Sequence, residues 1–421
     1  MPRIAVIGAG WAGICAAVQA STRDCPVTLF EMAPQCGGRA RGLKMDGLTL
    51  DNGQHIMIGA YTELLRLMRC VGADPQRLLL RTPLALLNAV GAGLQLRPGR
   101  AISAFVWAVA RHPTWSWNAK LALLGAAMQW GMSGFRCRAS LDVAELTKAL
   151  PAVLRDELID PLCIAALNTP SAQASASVFL RVLQDALFAG PGAADLLLPK
   201  VCLSDLLPNP ALHWLHSRGA TLRRSTRIMQ IEASARAWSV DGTAFDRVVI
   251  ATPAGEAARL AGPIAPDWAD TARRLRFEPI VTVYLSSPGT RLPAPMLALR
   301  ANATRPAQFV FDRGQLGGPA GLLAFVISGA QAWVDLGAQA TLDATLAQAH
   351  EELRPVLRAA LLPIQLLTEK RATFRCTPQL HRPSPRIAAG LWAAGDYVDG
   401  PYPATLEGAA RSGVQAIEGS D

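Results

Sequence analysis

The chain is short of charge and has no pattern that would mark a metal or a membrane span. Charged residues make up 17% of its 421 positions against 51% hydrophobic, an apolar balance for a soluble protein with room for two or three interleaved domains. Yet no segment is built to cross a bilayer. The apolar stretch 121–135 is too short, and the uncharged stretch 314–334 is broken by Gly317-Gly318-Pro319. The N-terminus runs straight into a strand without a signal-peptide layout, so a cytoplasmic protein is expected. Its eight cysteines form no C-x-x-C pair and have no histidines at metal-binding spacing. They read as buried, reduced thiols, and no metal site is expected. The net charge of +9 would suit nucleic acid or an anionic membrane. Dispersed arginines and the lack of any basic run interleaved with aromatics argue against nucleic acid. There are no repeats and no low-complexity tracts.

What is present begins at once. Ile4-Ala5-Val6-Ile7 is an apolar run suited to a buried parallel strand, and it leads into Gly8-Ala9-Gly10-Trp11-Ala12-Gly13. An alanine-rich helix follows, then a second strand ending on Glu31, eighteen residues after Gly13. A lone G-x-G-x-x-G says little. Between strand and helix, with an acid at this distance, it is a dinucleotide-binding fingerprint. Gly8 permits the tight turn, Gly10 lets backbone approach a pyrophosphate, and Gly13 lets helix and strand pack closely. The helix N-terminus offers N–H groups to the phosphates, and Glu31 can accept from both ribose hydroxyls.

A second glycine loop, Cys36-Gly37-Gly38-Arg39-Ala40-Arg41, follows that acid, with Arg39 the better candidate for a charge-assisted phosphate contact. Then comes Leu48-Thr49-Leu50-Asp51-Asn52-Gly53-Gln54-His55, a strand ending in a polar turn. This order resembles the flavin amine oxidase and phytoene desaturase superfamily. The resemblance implies FAD rather than NAD, with Gly38 and Arg39 near the diphosphate and Asn52, Gly53, Gln54 and His55 beside the isoalloxazine. It also implies a main-chain adenine contact near Ile228. Near the C-terminus, Leu391 to Gly395-Asp396 reads as a strand ending in Gly-Asp, and a helix opens at Thr405-Leu406-Glu407. By the same resemblance Asp396 meets the ribityl chain and the helix N-terminus faces the flavin. The implied fold is α/β: a Rossmann-like FAD-binding domain from 1–81, 201–263 and 376–421, with an interleaved α+β substrate domain.

That substrate domain would comprise a helical part, 82–200, and a sheet with a helix, 264–375. In the first, Phe105, Trp107, Trp115, Trp117, Trp130 and Phe135 sit among few charges, with Arg100, Arg111, Lys120, Arg136 and Arg138 alongside. Such a segment suits either a monotopic surface on lipid headgroups or a helical core lining an apolar pocket. Pro161-Leu162-Cys163, Leu167-Asn168-Thr169-Pro170, the Ala174–Ser177 run, Leu198-Pro199 and Gly59-Ala60-Tyr61 resemble the bacterial hydroxysqualene dehydroxylase family, nearly end to end. The resemblance implies a C30 isoprenoid alcohol whose hydroxyl is replaced by hydride, at a cytoplasmic membrane surface. His55 is the first candidate for the acid, ahead of Asp51 and Glu63. The alternatives are a carotenoid desaturase, an amine oxidase with Trp392 and Tyr402 caging the amine, and a scaffold without flavin. No motif names the electron donor.

Overall fold

The computed structural model describes residues 1–45, 47–99, 101–234 and 237–420. Its centre is a six-stranded sheet with Ile4–Ile7 in the middle, flanked in parallel by Val27–Phe30 and Arg247–Ile250. Thr221–Arg223 adds outside Val27–Phe30, and Leu391–Ala393 outside Arg247–Ile250, both parallel. Arg386–Ala388 closes the far edge in antiparallel pairing. Strands covered on both faces read as unbroken apolar runs, and all four residues of Ile4–Ile7 are buried. The sheet takes strands from three separated parts of the sequence, so the chain leaves and returns twice.

Every residue of the helix Trp11–Ser21 is buried. One reason is the C-terminal helix Leu406–Glu418, which crosses it at Gly413. A Cβ on Gly413 would lie 2.3 Å from the carbonyl oxygen of Ala12 and 2.9 Å from the Ala16 nitrogen. Backbone meets backbone there, and no side chain fits.

The second sheet is antiparallel, in the order Met296–Ala298, Phe309–Asp312, Leu322–Ile327, Phe277–Ser286, Leu362–Phe374. Three of these strands are expected from β-branched and aromatic runs. Leu362–Phe374 is not: it holds Pro363 and the charged run Glu369-Lys370-Arg371, and its sequence carries no clean alternation. It is an edge strand, where proline and charge are tolerated because one side makes no ladder. The helix Ala338–Glu352, the one expected in this part, packs with this sheet.

The segment 82–200 differs from the expected all-helical insertion. It opens with a hairpin, Ala85–Leu87 against Gly93–Gln95, and closes with the strand Leu196–Pro199. That strand pairs with both Met57–Ile58 and Leu79–Thr82, tying the insertion back to the first segment. Between them lie the helices Ala101–Arg111, Trp117–Met132 and Ala176–Phe188 and a long helical run from Ala152 to Leu167 with a π turn at Arg155–Ile159. A single turn, Val143–Leu146, is capped by the Asp142 carboxylate accepting from the Glu145 N–H. Arg100 lies outside the described residues. All eight cysteines are free thiols, but Cys25, Cys70, Cys137 and Cys202 are only half-buried, against the expectation of burial throughout. Among the described residues no helix is long and apolar enough to cross a membrane.

The close crossing of the two terminal helices predicts that Gly413→Val destabilises the protein by about 1–3 kcal/mol through overpacking. Chemical denaturation would measure it. An unchanged midpoint would show that the helices can separate without cost.

Candidate functional site

A cavity of about 1540 Å³ runs from the glycine turn into the space between the second sheet and the helices of 82–200. At its polar end the three glycines of the turn serve different ends. Gly8 has φ +106°, and a Cβ there would sit 2.5 Å from the Ala251 oxygen. A Cβ on Gly13 would lie 1.9 Å from the Gly8 oxygen. Gly10 is the opposite case. Its φ of −76° suits any residue, and a Cβ would come no nearer than 3.8 Å to protein, at Gly38. The space beside Gly10 is open toward the cavity. Glu31 is fixed there by two backbone donors, the N–H of Ala9 at 2.7 Å and that of Ala33 at 2.8 Å. Ala9 and Gly13 themselves do not line the cavity; they act through backbone and packing.

Arg39 and Asp396 both face the cavity, and the structure brings them together. The Arg39 guanidinium donates to Asp396 Oδ1 at 2.5 Å and to the carbonyls of Arg371 and Ala372 at 3.0 and 2.7 Å. One side chain thus joins the second glycine loop, the edge strand and the C-terminal Gly-Asp. Burial works against the charge on Arg39, but the carboxylate of Asp396 outweighs it and raises the guanidinium pKa. The hydroxyls of Tyr397 and Thr252, also on the cavity wall, are buried without a hydrogen-bond partner. Buried polar atoms of this kind need a bound polar group to satisfy them. Ile228 lines the same end, with its carbonyl accepting from Arg259 at 2.6 Å. Thr405 Oγ1 caps the C-terminal helix by accepting from the Gly408 N–H, and Thr405 and Leu406 reach the cavity.

Besides Ala9 and Gly13, three expected residues do not face it, all of them acids. Glu407 is fully buried but turned away: its carboxylate accepts from the N–H groups of Glu63 and Leu64 and pairs with Arg411. The carboxylate caps the helix Thr62–Cys70. Glu63 pairs with Arg66 on that helix. Asp51 accepts from the Leu203 N–H at 2.8 Å, with Arg313 at 3.8 Å. Burial pushes its pKa up to about 6 despite both partners, and it anchors a loop. A motif places a backbone; it does not say which way a carboxylate points.

The Asn52–His55 turn is stapled to its surroundings. Asn52 Oδ1 accepts from the Arg41 N–H at 3.3 Å. Gln54 donates to the Tyr284 hydroxyl at 2.8 Å and accepts from Arg313 at 3.0 Å. Tyr284 in turn donates to the Asp51 carbonyl at 2.7 Å. Gly53 and His55 face the cavity. His55 is accessible from the cavity yet shielded from bulk solvent. Burial, and then the charge of Arg39, lower its pKa to about 4. The shift favours the neutral imidazole, whose N–H can still donate a hydrogen bond.

Beyond this turn the wall becomes apolar, with Phe105, Leu123, Trp130 and Phe179 among its residues. Polar groups are fewer there: Asn168, Ser328, Thr373 and Asp185, the last paired with Arg181. Asn168 ends the helical run at φ +48°. Its amide donates to Thr373 Oγ1 at 2.9 Å and to the Glu278 carbonyl at 3.3 Å, and its oxygen accepts from the Gly329 N–H at 2.7 Å. Sequence reasoning quotes Asn168 but assigns it no role. Asparagine before Thr-Pro at a helix end is the available signal, since it tolerates the left-handed region. Thr373, Ser328, Thr252 and Tyr397 carry no sequence signal at all. Of the aromatics proposed to cage an amine, Trp392 is buried in the central sheet away from the cavity, and the ring of Tyr402 faces Arg181 and Arg411.

The flavin containing amine oxidoreductase family matches residues 11–416. The chain belongs to this family. As a member it is an FAD-dependent oxidoreductase, and the fold agrees: cyclohexylamine oxidase from Brevibacterium oxydans superposes with a TM-score of 0.73 at 14% identity, covering 99% of this chain and 98% of that one. Among curated relatives, the hydroxysqualene dehydroxylase of Sinorhizobium fredii is 28% identical, covering 99% of this chain and 98% of its own. That of Rhodopseudomonas palustris is also 28% identical, with 98% and 97% covered. The residues present fit the flavoprotein's cofactor: open space at Gly10, a carboxylate at Glu31, unpartnered buried hydroxyls and a capped helix N-terminus share one wall.

Because Gly10 has room for a methyl group only where no protein lies, Gly10→Ala should leave the thermal stability of the FAD-free flavoprotein unchanged. FAD affinity should fall at least about tenfold, equivalent to about 1.4 kcal/mol. Fluorescence titration of the apoprotein with FAD measures this. Equal affinity would place the pyrophosphate elsewhere.

Proposed function

We propose that the protein replaces the hydroxyl of hydroxysqualene with hydride, giving squalene. The observation that carries the reading is the continuity of the cavity. Its volume of about 1540 Å³ exceeds the roughly 300–1,000 Å³ of an ordinary small-molecule pocket. It joins a dinucleotide cradle to an apolar chamber in one space. The full-length relatives named hydroxysqualene dehydroxylase support the choice of substrate. A cationic amine is disfavoured because Arg181 and Arg411 already face the Tyr402 ring, at 5.7 and 5.1 Å.

In this reaction the C–O bond of an allylic alcohol breaks, a C–H bond forms, and the oxygen leaves as water after gaining a proton. Fully reduced flavin, when bound, would supply both hydrogens, the hydride for the new C–H bond and the proton lost with the water. The chain's own residues exclude water and orient the alcohol. An apolar wall offers few nucleophiles to intercept a developing cation. Thr373 Oγ1 accepts from Asn168, which leaves its O–H to donate to the substrate oxygen. His55 faces the cavity at the reacting end and positions the substrate by hydrogen bonding.

Anaerobic incubation of photoreduced enzyme with hydroxysqualene should yield squalene and reoxidised flavin. Thr373→Val should slow that turnover about tenfold or more, the loss expected for one hydrogen bond, with flavin content unchanged. Flavin that stays reduced with no squalene formed would reject the reading. Oxidation of phytoene by the oxidised enzyme would favour the desaturase.

A further inference from the structure

The helices Ala101–Arg111 and Trp117–Met132 and the end of Ala176–Phe188 turn an apolar face outward. Trp117, Leu121, Met128 and Met132 are 68%, 64%, 64% and 76% exposed, and Ile102, Val106 and Phe188 are exposed beside them. Large apolar side chains gathered in this way on a surface mark an interaction site. Five of them, Ile102, Val106, Met128, Met132 and Phe188, also line the cavity. The same side chains face the outside and the inside, so this patch is the rim of a mouth.

The charge along its first two helices has one sign, and Asp185 on the third is paired with Arg181. Between Asp74 and Asp142 the chain has no acidic residue. Arg97, Arg111, Arg136 and Arg138 are exposed along this region. Arg97 and Arg111 lie over the ring of Trp107, at 3.3 and 5.6 Å, which holds cations beside an apolar helix. Lys120 does not contribute: it is buried and donates to the Ala110 carbonyl.

We propose that this face docks on an anionic lipid bilayer, with the mouth opening into the acyl region so that an apolar substrate enters the chamber from the leaflet. An interfacial face combines tryptophan and aliphatic residues with flanking cations, and no spanning helix is needed. A second copy of this chain suits the face poorly, because it would set the same arginines against each other. The inference rests on the proposed isoprenoid substrate, which partitions into lipid and hardly at all into water.

The test uses full-length, FAD-loaded protein and sedimentation with two kinds of vesicle: phosphatidylcholine alone, and phosphatidylcholine with about one third phosphatidylglycerol. Wild type should bind the anionic vesicles far more tightly, and added salt should weaken it. Arg136→Glu with Arg138→Glu should lower that affinity at least about tenfold, since each basic residue contributes about fivefold near such a surface. Trp117→Gln with Leu121→Gln should lower it comparably. None of these four residues lines the cavity, so flavin content and turnover in detergent micelles should match wild type, while turnover of vesicle-borne substrate falls. Wild type that ignores both vesicles, or variants that bind like wild type, would overturn the proposal. So would a dimer abolished by the Trp117/Leu121 pair, since a second copy would then cover the face. Vesicle binding with the expected mutational pattern but no squalene in micelles would support the docking surface and reject the substrate.

Discussion

The structure depends on the contact between its two ends. The helix after the first strand and the helix that closes the chain touch through backbone at Ala12 and Gly413, where a single Cβ would stand 2.3 Å from a carbonyl oxygen. Everything between residues 21 and 406 is inserted into a unit that this contact closes. The Arg39–Asp396 pair repeats the connection at the cavity, joining the second glycine loop to the C-terminal Gly-Asp at 2.5 Å. A shielded ion pair is expensive to strip of water, and geometry must compensate. Here the two backbone carbonyls of Arg371 and Ala372 complete the guanidinium's contacts and bring the second sheet's edge strand into the same junction.

One cavity therefore has two kinds of wall. Near the chain ends it is made of glycine backbone, carboxylates and helix N-termini, and two hydroxyls there lack partners. Farther in, side chains of 82–200 and of the second sheet replace them with an apolar surface holding few polar groups. His55 sits where the two meet, and its environment reflects both. Burial and a nearby guanidinium depress its pKa to about 4. The apolar wall beyond it suits a substrate with little polarity.

How far the sequence discloses this depends on whether backbone or side chain does the work. The glycine turn is legible because Gly8 and Gly13 answer steric demands that no other residue meets. The strands Phe277–Ser286 and Leu322–Ile327 are legible because burial on the sheet demands apolar runs. Carboxylate direction is not legible for the converse reason. Asp51 and Glu407 lie in motif positions, but their carboxylates satisfy the N–H groups of Leu203, Glu63 and Leu64 rather than facing the cavity. The strand Leu362–Phe374 is hidden by its edge position. In Trp117–Met132, apolar residues surround the helix, so periodicity cannot separate buried Leu123 and Trp130 from exposed Trp117 and Leu121. One side of that helix is core and the other is exposed.

The chamber's character next to the flavin is the central claim, and anaerobic titration of the FAD-loaded protein with squalene in micelles tests it most directly. An apolar chamber adjoining the ring predicts a saturable change in the flavin absorption band as squalene displaces water, with cyclohexylamine producing none. A flavin spectrum indifferent to squalene but shifted by the amine would contradict it.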